Sequence, residues 1–235
     1  MESFEALRGT VRVTRTSGED ATDQWRALHA KVDKTGLYPV ICRDESCIDN
    51  IVQVLEDLRA DGVTMDSILA SATPDTLKKY RATRASDVQD APRDEFEPCD
   101  DEDEEDSYEA SMPSSVADFD GEFLDEVLIL HVPAQNGWEA IANLGWGNFN
   151  DCPRPEVHAA QIRNWHERYG AELCVVCDDT LEFLVRRRPQ SQDEAIELAL
   201  EMYALCADIV DQGTESIEAL AAPLLVSNSW FFWWD

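Results

Sequence analysis

Basic residues are scarce in this sequence, and across one long stretch they are missing altogether. Only 4 of the 235 residues are Lys, and neither Lys nor Arg stands between Asp94 and Pro153. Asp and Glu together number 49, which leaves a formal net charge of −30. Phosphate backbones and anionic lipid headgroups repel such a chain, so DNA, RNA and membrane surfaces are poor partners for it. Long hydrophobic runs are missing too. No stretch approaches the ~18 apolar residues of a membrane span, and Met1-Glu2-Ser3-Phe4-Glu5 carries charge where a secretory leader needs an apolar core. The seven Cys, at 42, 47, 99, 152, 174, 177 and 206, are odd in number and scattered. Reduced thiols in a cytoplasmic protein are the expectation from that pattern. There is no phosphate loop, dinucleotide fingerprint, nucleophile elbow or HExxH motif. No cofactor is expected, and the balance leans away from an enzyme.

What the chain does have is enough apolar material to fold. It is 44% hydrophobic, with eight Phe, seven Trp and five Tyr, a composition that buries a core. Five aromatic rings follow one another at Trp230-Phe231-Phe232-Trp233-Trp234 before Asp235. Rings of that size carry large burial energies, so the run is expected to dock. Its alternation suggests an end strand covered on both faces. The acidity has two readings: it serves solubility or a high-salt habitat, or it meets a basic protein partner.

The acid is unevenly spread. The window from Asp94 to Pro153 holds 18 Asp and Glu, centred on Asp100-Asp101-Glu102-Asp103-Glu104-Glu105-Asp106. A like-charge block of this kind self-repels and buries too little to order itself. We therefore expect an acidic disordered linker over 87–120, between an N-terminal α/β segment (1–86) and an α+β domain (121–235). In the first segment Gly9 to Thr16 alternates like a strand. Thr22 is placed to cap a helix carrying Trp25 and Leu28, and Leu37 to Cys42 reads as a second strand, which Pro39 puts at an edge or a strand start. Helices are expected over 48–58 and 67–80, the latter broken near Pro74. In the domain, Glu126 to Val132 is a buried strand, and Gly137 to Leu144 a short helix. Pro155 to Tyr169 is a longer helix stopped by Gly170, and 172–177 with 181–185 form a hairpin. Ser191-Gln192-Asp193-Glu194 has the capping-box pattern for a helix running to Gly213, and a last helix spans about 215–225. The fold class is α+β, a small antiparallel or mixed sheet with helices packed on it.

Few residues suggest chemistry. Cys174 and Cys177 lie within an apolar strand, where positions three apart face opposite ways, so they read as buried thiols and no metal site is expected. Cys152, outside the helix that holds His158 and His166, is a weak candidate nucleophile. Asp208 and Asp211 share a helix face in what reads as a last turn, where the helix dipole disfavours acid, and this points to a partner for them.

Several segments together resemble a known family. Val132-Pro133-Ala134 with Gly137-Trp138-Glu139, and Trp146-Gly147 with Asn150-Asp151-Cys152-Pro153, are followed by Trp165-His166-Glu167-Arg168-Tyr169-Gly170-Ala171-Glu172-Leu173. Then come Thr180-Leu181-Glu182-Phe183, Ala207 to Gly213 and the aromatic run. In that order, over about 124–235, they resemble the bacterial family DUF4253, a domain of unknown function. Thr35 to Val40 is similar to a segment upstream of that domain in family members, and the long acidic insert departs from the usual pattern. The resemblance implies no catalytic residues. It implies that Trp165, His166, Glu167, Tyr169, Asp208, Asp211 and Gln212 belong to one recurring core, and these are the candidate binding residues. The functional expectation is a non-enzymatic interaction protein with a basic protein partner, an immunity-type inhibitor being one form. The alternative is a small-molecule or metal-dependent hydrolase-like enzyme with a Trp/His/Asp-lined pocket, and a structural housekeeping domain is a third reading.

Overall fold

The computed structural model describes residues 11–99 and 108–235. The fold is α+β, built on one mixed, open six-stranded sheet. The strands are β1 (Arg12–Thr16), β2 (Leu37–Cys42), β3 (Val127–Pro133), β4 (Ala171–Val176), β5 (Thr180–Val185) and β6 (Ser229–Trp233). Their order across the sheet is β1-β3-β2-β4-β5-β6, with β2 and β4 parallel and every other neighbouring pair antiparallel.

The sheet runs across the expected boundaries at 86 and 121, because β2 lies between β3 and β4. Pro39 therefore stands in an interior strand and not at an edge. It is tolerated because β2 pairs with β4 only at Ile41↔Val175, so the missing N–H at Pro39 interrupts no ladder there. The Pro39 carbonyl accepts the Trp25 indole N–H at 2.9 Å. That bond ties the helix Gly18–His29 to the sheet. Ser17, not Thr22, caps this helix, its side chain accepting from the Asp20 amide. Glu19 and Asp20 then fall in the first turn, where the dipole favours acid, and Thr22 is buried.

The helix Pro155–Tyr169 forms as the sequence predicts, with Pro at its first position and Gly170 in the left-handed conformation (φ 61°) as its stop. It covers the face of β5 and β6 that carries Phe183, Trp230 and Phe232: Trp165 meets all three rings at centroid distances of 5.9, 5.6 and 5.2 Å. Segment 108–124 lies over the opposite face. Of the expected linker, the described flanks are mostly exposed and touch the core at a few points, with Ala91, Ser111 and Val116 buried. The acidic block 100–106 and the segment before Val11 lie outside the described residues.

Two expectations at the C-terminal end are corrected. The helix starting at Gln192 ends at Leu205, well before Gly213. Cys206 turns extended (φ −145°, ψ 95°) and its thiol donates to the Trp233 carbonyl at 2.8 Å, which draws the chain toward β6. A separate π-helical turn follows (Ile209–Thr214), and Glu215, not Gly213, takes the left-handed position. Strand β6 is an edge covered on one face only. Trp230, Phe232 and Trp234 are buried, while Phe231 is 48% exposed and Trp233 partly so.

Candidate functional site

Six of the seven candidate residues fall into two sets. Trp165 is fully buried and its indole N–H donates to Glu201 Oε2 at 3.3 Å. The Tyr169 hydroxyl accepts from Arg168 at 2.9 Å, and Glu167 is exposed and pairs with Arg163 one turn back. In the second set, Asp208 accepts from the Gln212 side chain at 3.1 Å and from the Asp235 amide at 3.1 Å. Asp211 accepts from the Tyr203 hydroxyl at 3.3 Å. Glu201 and Tyr203, which anchor the two sets, are two residues apart on one helix and so point in nearly opposite directions, about 200° apart. Glu167 lines a cavity of about 490 Å³ with Arg81 and Arg163, and Asp208 lines a different one of about 310 Å³ with Trp230 and Trp233. Asp208 is also at the N-terminal end of its π-helical turn, where an acid is favoured, so the expected electrostatic conflict does not arise.

His166 belongs to a centre that the motifs did not reveal. Its Nδ1 lies 3.3 Å from Glu172 Oε1, and His29 Nε2 lies 3.3 Å from Glu172 Oε2. The Tyr38 hydroxyl reaches the same carboxylate at 3.4 Å and the Leu173 carbonyl at 3.0 Å. Trp25 stacks on His29 at 4.7 Å and Trp138 stands edge-on to His166 at 5.2 Å. Burial opposes a charge on Glu172, but the two imidazoles beside it, His166 and His29, more than offset it and hold the carboxyl at about 2. The Glu172 carboxylate in turn raises His166 above its ordinary value. A part-exposed imidazole oriented by a buried carboxylate can exchange a proton with solvent or with a bound group.

The Cys152 thiol and His158 Nε2 are 3.2 Å apart, so these two residues do meet. Both are buried among Trp146, Phe149 and Trp234. Burial pushes the thiol up and the imidazole down to about 3, which keeps both neutral and makes the pair a packed hydrogen bond. Gly147 (φ 117°) is required there, since a Cβ would lie 2.4 Å from the Pro153 carbonyl oxygen and 2.9 Å from His158. Cys174 is fully buried. Among the described residues no group of three or more His, Cys, Asp or Glu is placed to hold a metal ion, and no helix is long and apolar enough to cross a membrane.

The outer face of β5 and β6 carries a second charged residue in an apolar strand. Glu182 is fully buried and accepts from the Ser114 amide at 2.6 Å, the Ser114 hydroxyl at 3.0 Å and the Ser115 amide at 2.8 Å. Burial raises its carboxyl, against the pull of these bonds. This anchor holds the acidic segment over the sheet. Beside it runs a cavity of about 490 Å³ lined by Asp118, Phe119, Asp179, Phe231, Trp233 and Arg43, whose guanidinium stands 6.0 Å from the Phe119 ring centroid. The Phe119 ring is fully exposed, and Asp118, Asp120, Glu122 and Asp125 around it are exposed as well. The sequence did carry a signal for both anchors: Glu172 and Glu182 are single acids in buried strands, and a buried charge needs a partner.

The comparisons give one match. Residues 128–235 fit the family model described as a domain of unknown function, DUF4253. Curated proteins and solved structures yield no significant match.

Proposed function

We propose that this chain, whose residues 128–235 are a DUF4253 domain, is a non-enzymatic interaction protein that engages a basic protein partner on the outer face of β5 and β6. One observation carries the reading. Phe119, Phe231 and Trp233 line an open groove together with Asp118, Asp179 and Arg43, and Asp118, Asp120, Glu122 and Asp125 on the segment that carries Phe119 are all exposed. Aromatic anchors surrounded by charge are the usual build of an interface, and acid at the rim selects a basic partner and speeds its association. Glu182 supports the reading by fixing the acidic segment against the sheet. The hydrolase-like alternative draws less support, because its candidate residues separate into two sets on opposite sides of one helix.

The test is affinity capture from a native lysate at low salt, run in parallel with the wild-type chain and with Phe119→Ser/Phe231→Ser. A basic protein retained by the wild type, and released both by the double variant and by raising the salt, bears the reading out. Retention that ignores the double variant would move the interface elsewhere, and recovery of no basic protein at any salt would sink it.

A further inference from the structure

Asp208 stands on the wall of the cavity of about 310 Å³ that Trp230 and Trp233 also line. The π-helical turn Ile209–Thr214, the helix Ile217–Leu224 and strand β6 form its sides. Turns of the π type are rare and concentrate at functional sites. Met202, Ile209, Leu220 and Leu224 make the walls apolar, and among the described residues that line the cavity Asp208 alone is ionisable. Asp208 Oδ1 accepts from the Gln212 side chain and Oδ2 from the Asp235 amide, each at 3.1 Å. Neither donor is a cation, and each oxygen keeps an acceptor site free. Phe231, which also lines the cavity, brings a second free acceptor. The Trp234 amide donates to the Asp179 carbonyl and the Val185 amide to the Asn228 carbonyl. The even-numbered residues of β6 therefore bond to β5, and the peptide groups of Ser229, Phe231 and Trp233 face the free edge. The Ser227 hydroxyl serves both groups of Ser229, and the Cys206 thiol serves the Trp233 carbonyl. The Phe231 carbonyl has no hydrogen-bond partner among the described residues.

We propose that this cavity binds a small organic ammonium ion, an apolar body that carries one protonated amine. The body fills the space between Leu220, Leu224 and the Trp230 ring, where its transfer from water supplies most of the affinity. The head supplies selectivity. An ammonium has three donors and no acceptor, which suits a carboxylate with two vacant acceptor sites and an unpartnered peptide carbonyl. A charge-assisted bond to Asp208 is stronger than the bond a neutral hydroxyl makes there. Trp233 and Phe231 add aromatic rings along the same wall, and such rings attract cations. The net charge of −30 acts in the same direction, since it concentrates cations near the surface and repels anions. This site is independent of a basic protein partner on the outer face, because neither Asp118, Phe119 nor Arg43 borders it.

The experiment titrates the full chain at neutral pH with hexylamine, 1-hexanol and hexanoate, probes of one chain length that differ in the charge of the head. Calorimetry gives the affinities, and the methyl resonances of Met202, Ile209, Leu220 and Leu224 locate the bound probe. The expected result is one saturable site for hexylammonium, with shifts at those methyls. 1-Hexanol should move the same methyls but bind at least about tenfold more weakly, since it lacks the charge-assisted bond. Hexanoate should not saturate. Asp208→Asn, checked for folding by cooperative melting, should weaken hexylammonium about tenfold and leave 1-hexanol within about twofold. The three probes on the unaltered chain decide the question by themselves should that variant not fold. Hexylammonium bound no more tightly than 1-hexanol would overturn the proposal. So would shifts spread over the acidic surface with these four methyls unmoved, or full hexylammonium affinity in folded Asp208→Asn.

Discussion

Replacing Phe232 with Ala and, separately, Phe231 with Ala tests the alternation along β6 quantitatively. Phe232 is fully buried, stacked on Trp165 at 5.2 Å and 25°, edge-on to Phe183 at 5.7 Å and parallel to Trp234 at 6.1 Å. Truncating a buried Phe to Ala costs about 3–5 kcal/mol, made up of lost transfer energy and the cavity left behind. Its neighbours are rigid rings that collapse poorly into a void, so the upper half of that range applies. Phe231 keeps 48% of its surface in water. Full burial of such a side chain is worth about 1.5–3 kcal/mol, so the half-buried ring should cost only about 1 kcal/mol. For a chain of this length each kcal/mol shifts the melting temperature by about 2–4 °C. Phe232→Ala should therefore lower it by about 8–20 °C and Phe231→Ala by about 2–4 °C. Urea unfolding by linear extrapolation, with m unchanged between variants, supplies the free energies, and calorimetry supplies the temperatures. Equal losses for the two variants would refute the one-sided burial of β6. A larger loss at Phe231 would mean that the inward and outward faces are reversed.

Two further predictions address the buried carboxylates. Glu172 is held at about 2 against an ordinary 4.5, so its contribution to stability is present above pH 4.5 and lost as pH falls toward 2. His166 is raised above 6.5, so its contribution is full below pH 6.5 and lost as pH rises through the raised value. Glu172→Gln should flatten both flanks of the melting temperature against pH, and unchanged flanks would show that the pair is not coupled to folding. Glu182→Ala should release segment 108–124 from the sheet, because the Ser114 and Ser115 amides lose their acceptor. Limited proteolysis should then cut within 108–124 at least tenfold faster, at roughly constant global stability, and an unchanged cleavage rate would remove Glu182 as the anchor.

Much of the local structure was legible from residue order alone. Pro155 and Gly170 bracket their helix because ring geometry and the left-handed conformation are intrinsic to those residues. The hairpin of β4 and β5 likewise follows from alternation and a short polar turn. Pro39 has a local preference for an edge, and its interior position follows from the placing of β2 beside β4, some 130 residues away, in a pairing sparse enough to spare its missing N–H. The helix end at Leu205 was misplaced. The apolar stripe continues past it, and the bond from Cys206 to Trp233 that ends the helix joins positions far apart in sequence.

The same division holds for function. The sequence by itself determined the charge, the lack of familiar catalytic motifs and the match of residues 128–235 to the family model, because these are properties of residue identity and short-range order. Only the tertiary structure decided which side chains share a site. It separated Trp165 from Asp211, joined His29 and His166 to Glu172, and left Phe119 with Phe231 open to solvent over the sheet. Each of those pairings depends on how the strands are ordered, and that order is settled by long-range burial, which no local window of residues contains.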